Sequence, residues 1–276
     1  MTSWDLWAMG AVLLMGVPHG GLDGAIARRI GWPKGLIAWL GFNLCYVALA
    51  ALVVWVWWQW PLVGLQVFLI ISALHFGASD IVSIKALTAD KPMFRWLPLT
   101  AHGGFVSIAI PSLQALQVQP SFSLLVGDVA ATMLIQSIIL LFLPWLACFV
   151  AYCVYAAIYP VWRKPLLDLS ILLMFAFTLP PLITFALYFC VWHSRCHMLR
   201  ILNSIKGDTE RRRSLIEAMA YSLIAWMALG VVFVLFQESF TSALMQVTFI
   251  GLAALTVPHM LLVDLADKLK PSSSWQ

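Results

Sequence analysis

Charge is what this sequence has least of. Only 10% of its 276 residues are Asp, Glu, Lys or Arg, against about a quarter in ordinary soluble domains. Hydrophobic residues make up 62%, and mean hydropathy is +0.93. That combination excludes a water-soluble globular fold. The apolar runs are long, not short and alternating, which excludes an outer-membrane barrel. The net charge of +4 is confined to a few loops, so it bears on membrane orientation and leaves no basic surface for nucleic acid. A cleavable leader is not expected either, because MTSWDLWAMG carries an acid and no basic stretch, and the first apolar segment reads as a retained helix. The five cysteines are odd in number and nearly all lie in apolar segments, so no disulfide framework is implied. No low-complexity segment or convincing internal repeat is present. Histidine is scarce as well, six residues in all, and every one falls in an apolar segment instead of a loop.

What remains is an all-α, polytopic helical membrane protein. Apolar segments lie near 3–27, 36–58, 62–87, 95–117, 123–143, 144–162, 166–180, 181–203, 215–236 and 241–264. Basic residues cluster at Arg28, Arg29 and Lys34, at Lys85, Lys91 and Arg95, at Arg200, Lys206 and Arg211 to Arg213, and at Lys268 and Lys270. The excess of basic residues on cytoplasmic loops puts all four clusters inside, and the links near 59–61, 112–122 and 237–240 outside. An odd number of crossings must join 112–122 to 206–213, so one of the four segments between them is a half-span or merges with its neighbour. The suspects are 144–162 and 166–180. The expectation is about nine transmembrane helices (eight to ten) with the N-terminus outside, forming a single bundle over 1–270 with a short tail at 271–276. Trp55, Trp57, Trp58 and Trp60 read as an interfacial aromatic belt.

The histidines pass a test of this topology. Each lies within ten residues of a basic cluster, and at 1.5 Å per residue all six fall within roughly 15 Å of the cytoplasmic helix ends. His193 and His197 are four residues apart, which puts both imidazoles on one helical face about 6 Å apart. Ionisable groups within a bilayer are costly and usually functional. Here they come paired along the chain, His19 with Asp23, His75 with Asp80 and His259 with Asp264. A metal-bound imidazole commonly donates its other N–H to a carboxylate or carbonyl. For one histidine, hydrogen bonding within the bundle is the simpler role; for six at one depth, a metal site is. Imidazole ligands suit iron, copper or zinc, and spacing does not decide among them. Cys190 and Cys196 flank His193 and would suit a soft metal, although buried cysteine usually behaves as a small hydrophobe. Pro18 and Pro258 should kink their helices, and the glycines beside the histidines permit close helix approach.

GVPHGGLD, LHFGASD, AHGGF, WHSRCH and VPHMLLVD, in that order from first span to last, resemble the Brp/Blh family of bacterial and archaeal membrane proteins, which includes β-carotene 15,15'-dioxygenases. The resemblance implies cleavage of the central double bond of β-carotene by O2 at a non-haem Fe(2+), giving two retinal molecules that serve a microbial rhodopsin. It implies iron ligands at His19, His75, His193 and His197. His102 and His259 are alternates or outer partners, and Asp23, Asp80 and Asp264 would orient imidazoles. The expected location is the cell (inner or plasma) membrane, with lipid as the route of entry for a water-insoluble polyene. Two rival readings stand beside it. A diiron lipid desaturase or hydroxylase would need more histidines in clustered boxes; a transporter or rhodopsin-assembly partner would use the same His and Asp as a proton or metal path.

Overall fold

A computed structural model describes residues 3–32, 35–82, 84, 94–235 and 239–269. Lys34, Lys85, Lys91, Lys270, part of the 237–240 link and the 271–276 tail lie outside the described residues, as do the side chains of Asp264 and Lys268. Every regular element described is helical. Five helices are long and apolar enough to cross a membrane: Leu36–Gln59, Pro61–Asp80, Asp128–Ile158, Asp208–Leu235 and Phe240–Val263. Their outward faces stay apolar, with Ile37, Leu44, Trp58 and Val234 all exposed. In water such surface would be a liability; against lipid it is the solvated face. This is a polytopic helical membrane protein.

The ambiguous middle of the chain resolves in one helix. Asp128–Ile158 runs for 31 residues with Pro144 inside it, so 144–162 is no separate span but largely the continuation of the segment before it. Proline is tolerated within membrane helices because neighbouring groups re-satisfy the carbonyl it leaves without a donor. The link expected near 112–122 is also mostly helical. The chain breaks at Gln114 and resumes as Ala115–Val126, and the Gln114 amide reaches across to the end of the Arg163–Thr178 helix, donating to the carbonyls of Ala176 and Leu179 at 2.5 and 2.6 Å. The tryptophan belt is three residues and not four. Trp55, Trp58 and Trp60 are exposed, whereas Trp57 turns inward at 2% exposure and packs over Gly64.

Among the described residues, three stretches adopt the wide π-helical turn, and each adjoins a histidine. Val12–Gly16 leads into Pro18 and His19, Phe105–Ala109 follows His102, and Leu187–Ser194 contains His193. Pro18 has no N–H to give the Leu14 carbonyl, and the turn before it opens into the wider register. Turns of this kind recur at functional sites.

The helices gather into two compact units. The first comprises Met1–Ala8 with Leu65–Tyr188, and the second Met9–Gly64 with Phe189–Gln276. Within the first, Gly77 and Gly103 face each other so closely that neither site has room for a Cβ. Within the second, Gly21 performs the same service. A Cβ there would meet the Ala218 carbonyl oxygen at 2.7 Å, so the His19-bearing segment lies directly on the backbone of the Asp208–Leu235 helix. Arg28 fastens that contact further along, donating to Glu210 at 2.7 Å, Glu217 at 2.5 Å and Ser214 at 3.0 Å.

Candidate metal centre

The second unit brings four histidines together. His19 arrives on Val17–Gly20, His193 at the end of the π-helical stretch, His197 on Arg195–Ser204 and His259 on Phe240–Leu269. All four are at most 8% exposed. The His19 ring lies 5.8 Å from that of His193, 6.0 Å from His197 and 5.1 Å from His259, and His197 lies 5.1 Å from His259. His193 and His197 stack nearly parallel at 6.2 Å, the spacing their separation in sequence requires. Phe189 extends the same ladder by one step, stacking on His193 at 6.0 Å.

Two of the rings are oriented from behind. The His19 Nδ1 donates to the Gly16 carbonyl, with the Ser194 hydroxyl 3.4 Å away. The His259 Nδ1 meets Asp23 Oδ1 at 2.6 Å. A carbonyl and a carboxylate can only accept, so each partner fixes the proton on Nδ1 and the lone pair on Nε2. This is the arrangement that metal-ligating histidines use. The pairing differs from the one expected along the chain: Asp23 serves His259 on the last helix, and a backbone carbonyl serves His19. The second oxygen of Asp23 accepts from Tyr46, 2.9 Å away. Tyr46 and Phe189 are the residues sequence reasoning missed. A phenol in the middle of an apolar span, away from the interfacial positions tyrosine favours, was the available signal for the first.

His75 and His102 belong to the first unit. His75 is buried, with its ring 5.9 Å from Phe76. His102 Nδ1 lies 3.4 Å from Asp80 Oδ2, which also accepts from the Tyr188 hydroxyl at 3.0 Å. Cys190 donates to the Ala11 carbonyl and Cys196 is exposed, so neither thiol is placed as a soft-metal ligand.

Four imidazoles around one ion, each bound through nitrogen at about 2.0–2.1 Å, put ring centres roughly 4.5–6.4 Å apart according to the angle between them. The observed spacings fall in that window. As placed, no three His, Cys, Asp or Glu side chains among the described residues converge on one point at binding distance, so closing on an ion takes side-chain rotation. The donor set, its burial and the two Nδ1 anchors fit a metal. A cavity of about 420 Å³ lies beside it, lined by His19, Asp23, Tyr46, Leu252, Leu255 and His259 among mostly apolar residues.

Residues 10–267 match the family model described as beta-carotene 15,15'-dioxygenase. The chain belongs to this family. It is 32% identical over 273 residues to the beta-carotene 15,15'-dioxygenase of uncultured marine bacterium 66A03, covering 98% of this chain and 96% of that one. It is 24% identical over 210 residues to the probable beta-carotene 15,15'-dioxygenase Blh of Halobacterium salinarum, covering 70% of this chain and 61% of that protein. No solved structure matches it. A dioxygenase of this family is an oxidoreductase, and the family implies a metal cofactor.

Proposed function

We propose that this protein cleaves the 15,15' double bond of β-carotene with O2, giving two molecules of retinal, at a non-haem Fe(2+) held by buried histidines. The observation that carries the reading is the gathering of His19, His193, His197 and His259 beside an apolar cavity in a chain of this family. His75, named by the family motif, stays in the proposed ligand set, and iron titration of His75→Ala decides its place. Iron bound here would supply activation of O2, and the two oxygen atoms would end on the two carbonyl groups formed.

The chain's own residues do the rest. The Gly16 carbonyl and Asp23 hold the His19 and His259 rings with Nε2 as the donor atom. Leu252, Leu255 and their apolar neighbours in the cavity wall exclude water and receive the polyene. Membrane lipid is the proposed route of entry, since so apolar a substrate partitions there. The wider picture is a multi-pass protein of the cell membrane with about nine crossings and the N-terminus outside, built as one bundle over 1–270, handing retinal to a microbial rhodopsin.

The test is expression in a bacterial host that accumulates β-carotene, followed by pigment chromatography. Loss of β-carotene with appearance of retinal is the expected result. Persisting β-carotene without any apocarotenal, despite membrane expression and supplied iron, would overturn the reading. Purified protein should carry about one iron per chain; two would favour a diiron desaturase.

A further inference from the structure

From the placement of Tyr46 we infer a positioning residue for the metal centre, acting through Asp23 on His259; the inference rests on the metal reading above. Asp23 is 4% exposed, in a segment surrounded by apolar residues and at the wall of an apolar cavity. A carboxylate in such a place is stable only when its oxygens are hydrogen-bonded. Asp23 spends Oδ1 on His259 and Oδ2 on Tyr46. The Tyr46 hydroxyl also has the Leu255 carbonyl within 3.2 Å. Leu255 stands one turn before His259 and next to Ala254, whose carbonyl Pro258 leaves without a donor in the last helix. One phenol therefore touches both groups that aim the His259 ring, its carboxylate partner and the backbone turn that carries it.

The arrangement is a chain of three helices. Tyr46 comes from Leu36–Gln59, Asp23 from Asp23–Arg29 and His259 from Phe240–Leu269. Without the phenol, Asp23 Oδ2 loses its donor. The carboxylate is then free to turn, and its hold on the His259 Nδ1 proton and on the ring's orientation is lost. Loss of an outer partner of a metal-bound histidine typically costs about 10–100-fold in metal affinity or activity.

The experiment is a double-mutant cycle of Tyr46→Phe and Asp23→Asn in the full-length protein, purified in lipid nanodiscs. It reads Fe(2+) affinity by anaerobic titration and the visible spectrum of the Co(2+)-substituted protein. Each single variant is expected to bind Fe(2+) about 10–100-fold more weakly with a shifted cobalt spectrum. The double variant should lose clearly less than the two single losses added, because Tyr46 acts on His259 largely through that carboxylate. Losses that add, or a Tyr46→Phe spectrum identical to wild type, would reduce Tyr46 to packing and overturn the inference. Should Tyr46→Phe fail to accumulate, Asp23→Asn alone decides: wild-type affinity and spectrum there break the chain. Wild-type protein that binds neither metal would refute the metal reading itself, a result separate from failure of the Tyr46 inference.

Discussion

In the second unit, four buried imidazoles gather around His19 and His197, whose rings lie 5.1–6.2 Å from their neighbours. In the first, His102 faces a carboxylate and phenols instead: Asp80 at 3.4 Å, with Tyr188 on the same carboxylate and the Tyr152 ring 5.9 Å away. Both settings are buried, and burial alone says nothing about function. An imidazole beside an acid and phenols within a packed bundle makes a polar contact that can rigidify a core. Imidazoles ranged around one another, two of them turned by partners at Nδ1, present nitrogen lone pairs to a shared space. With side-chain rotation such a group can serve as a ligand set, although as placed no three of these side chains converge on one point. The difference lies in what each ring faces.

The comparison can be broken most decisively at the stacked pair. His193→Ala or His197→Ala should lower retinal formation by at least about 100-fold while membrane expression persists, as read by pigment chromatography and immunoblot. Wild-type turnover from either variant would remove that helix from the site. His102→Gln should behave in the opposite way. Thermal stability should fall by about 1–3 kcal/mol as its contact with buried Asp80 is disturbed, while the iron-to-chain ratio stays that of wild type. Iron loss would move His102 into the ligand set. Gly21→Ala probes the scaffold under His19, where the new methyl group would press on the Ala218 backbone. A loss of about 1–3 kcal/mol in thermal unfolding is expected, with weaker iron binding as the His19 segment is pushed away. Arg28→Ala should have the smallest effect. Glu210 is 43% exposed, so solvent screening limits that ion pair to about 1 kcal/mol or less; Glu217 keeps Arg213 at 2.9 Å, and added salt should shrink the difference from wild type.

Much of this was legible in the sequence, for stated reasons. Charge scarcity and apolar length gave the fold class, and the separation of His193 from His197 gave their shared face. The partner of His259 was not legible. Asp23 lies 236 positions earlier, and only tertiary packing could choose it over Asp264, five residues away and favoured by sequence spacing. Of the two suspects the sequence offered, 144–162 and 166–180, it is 144–162 that merges with its neighbour. Pro144 reads as a helix stop in water, but a helix among neighbours in lipid passes through it. Trp57 went astray because its neighbours in sequence are interfacial, whereas the face it occupies packs on Gly64.

The stretch Leu187–Ser194 has a consequence for reading relatives. Its wide turns hold a residue more than an ordinary helix would over the same rise, so the number of residues in the stretch sets the face on which His193 and His197 emerge. Deleting one residue between 187 and 192 would let the stretch relax to α-helix and swing the His193–His197 face by about 100°. An aligned homologue with both histidines intact but a single gap in that interval would have kept its ligands and lost their aim. For this chain, the length of that interval matters as much as the letters in it.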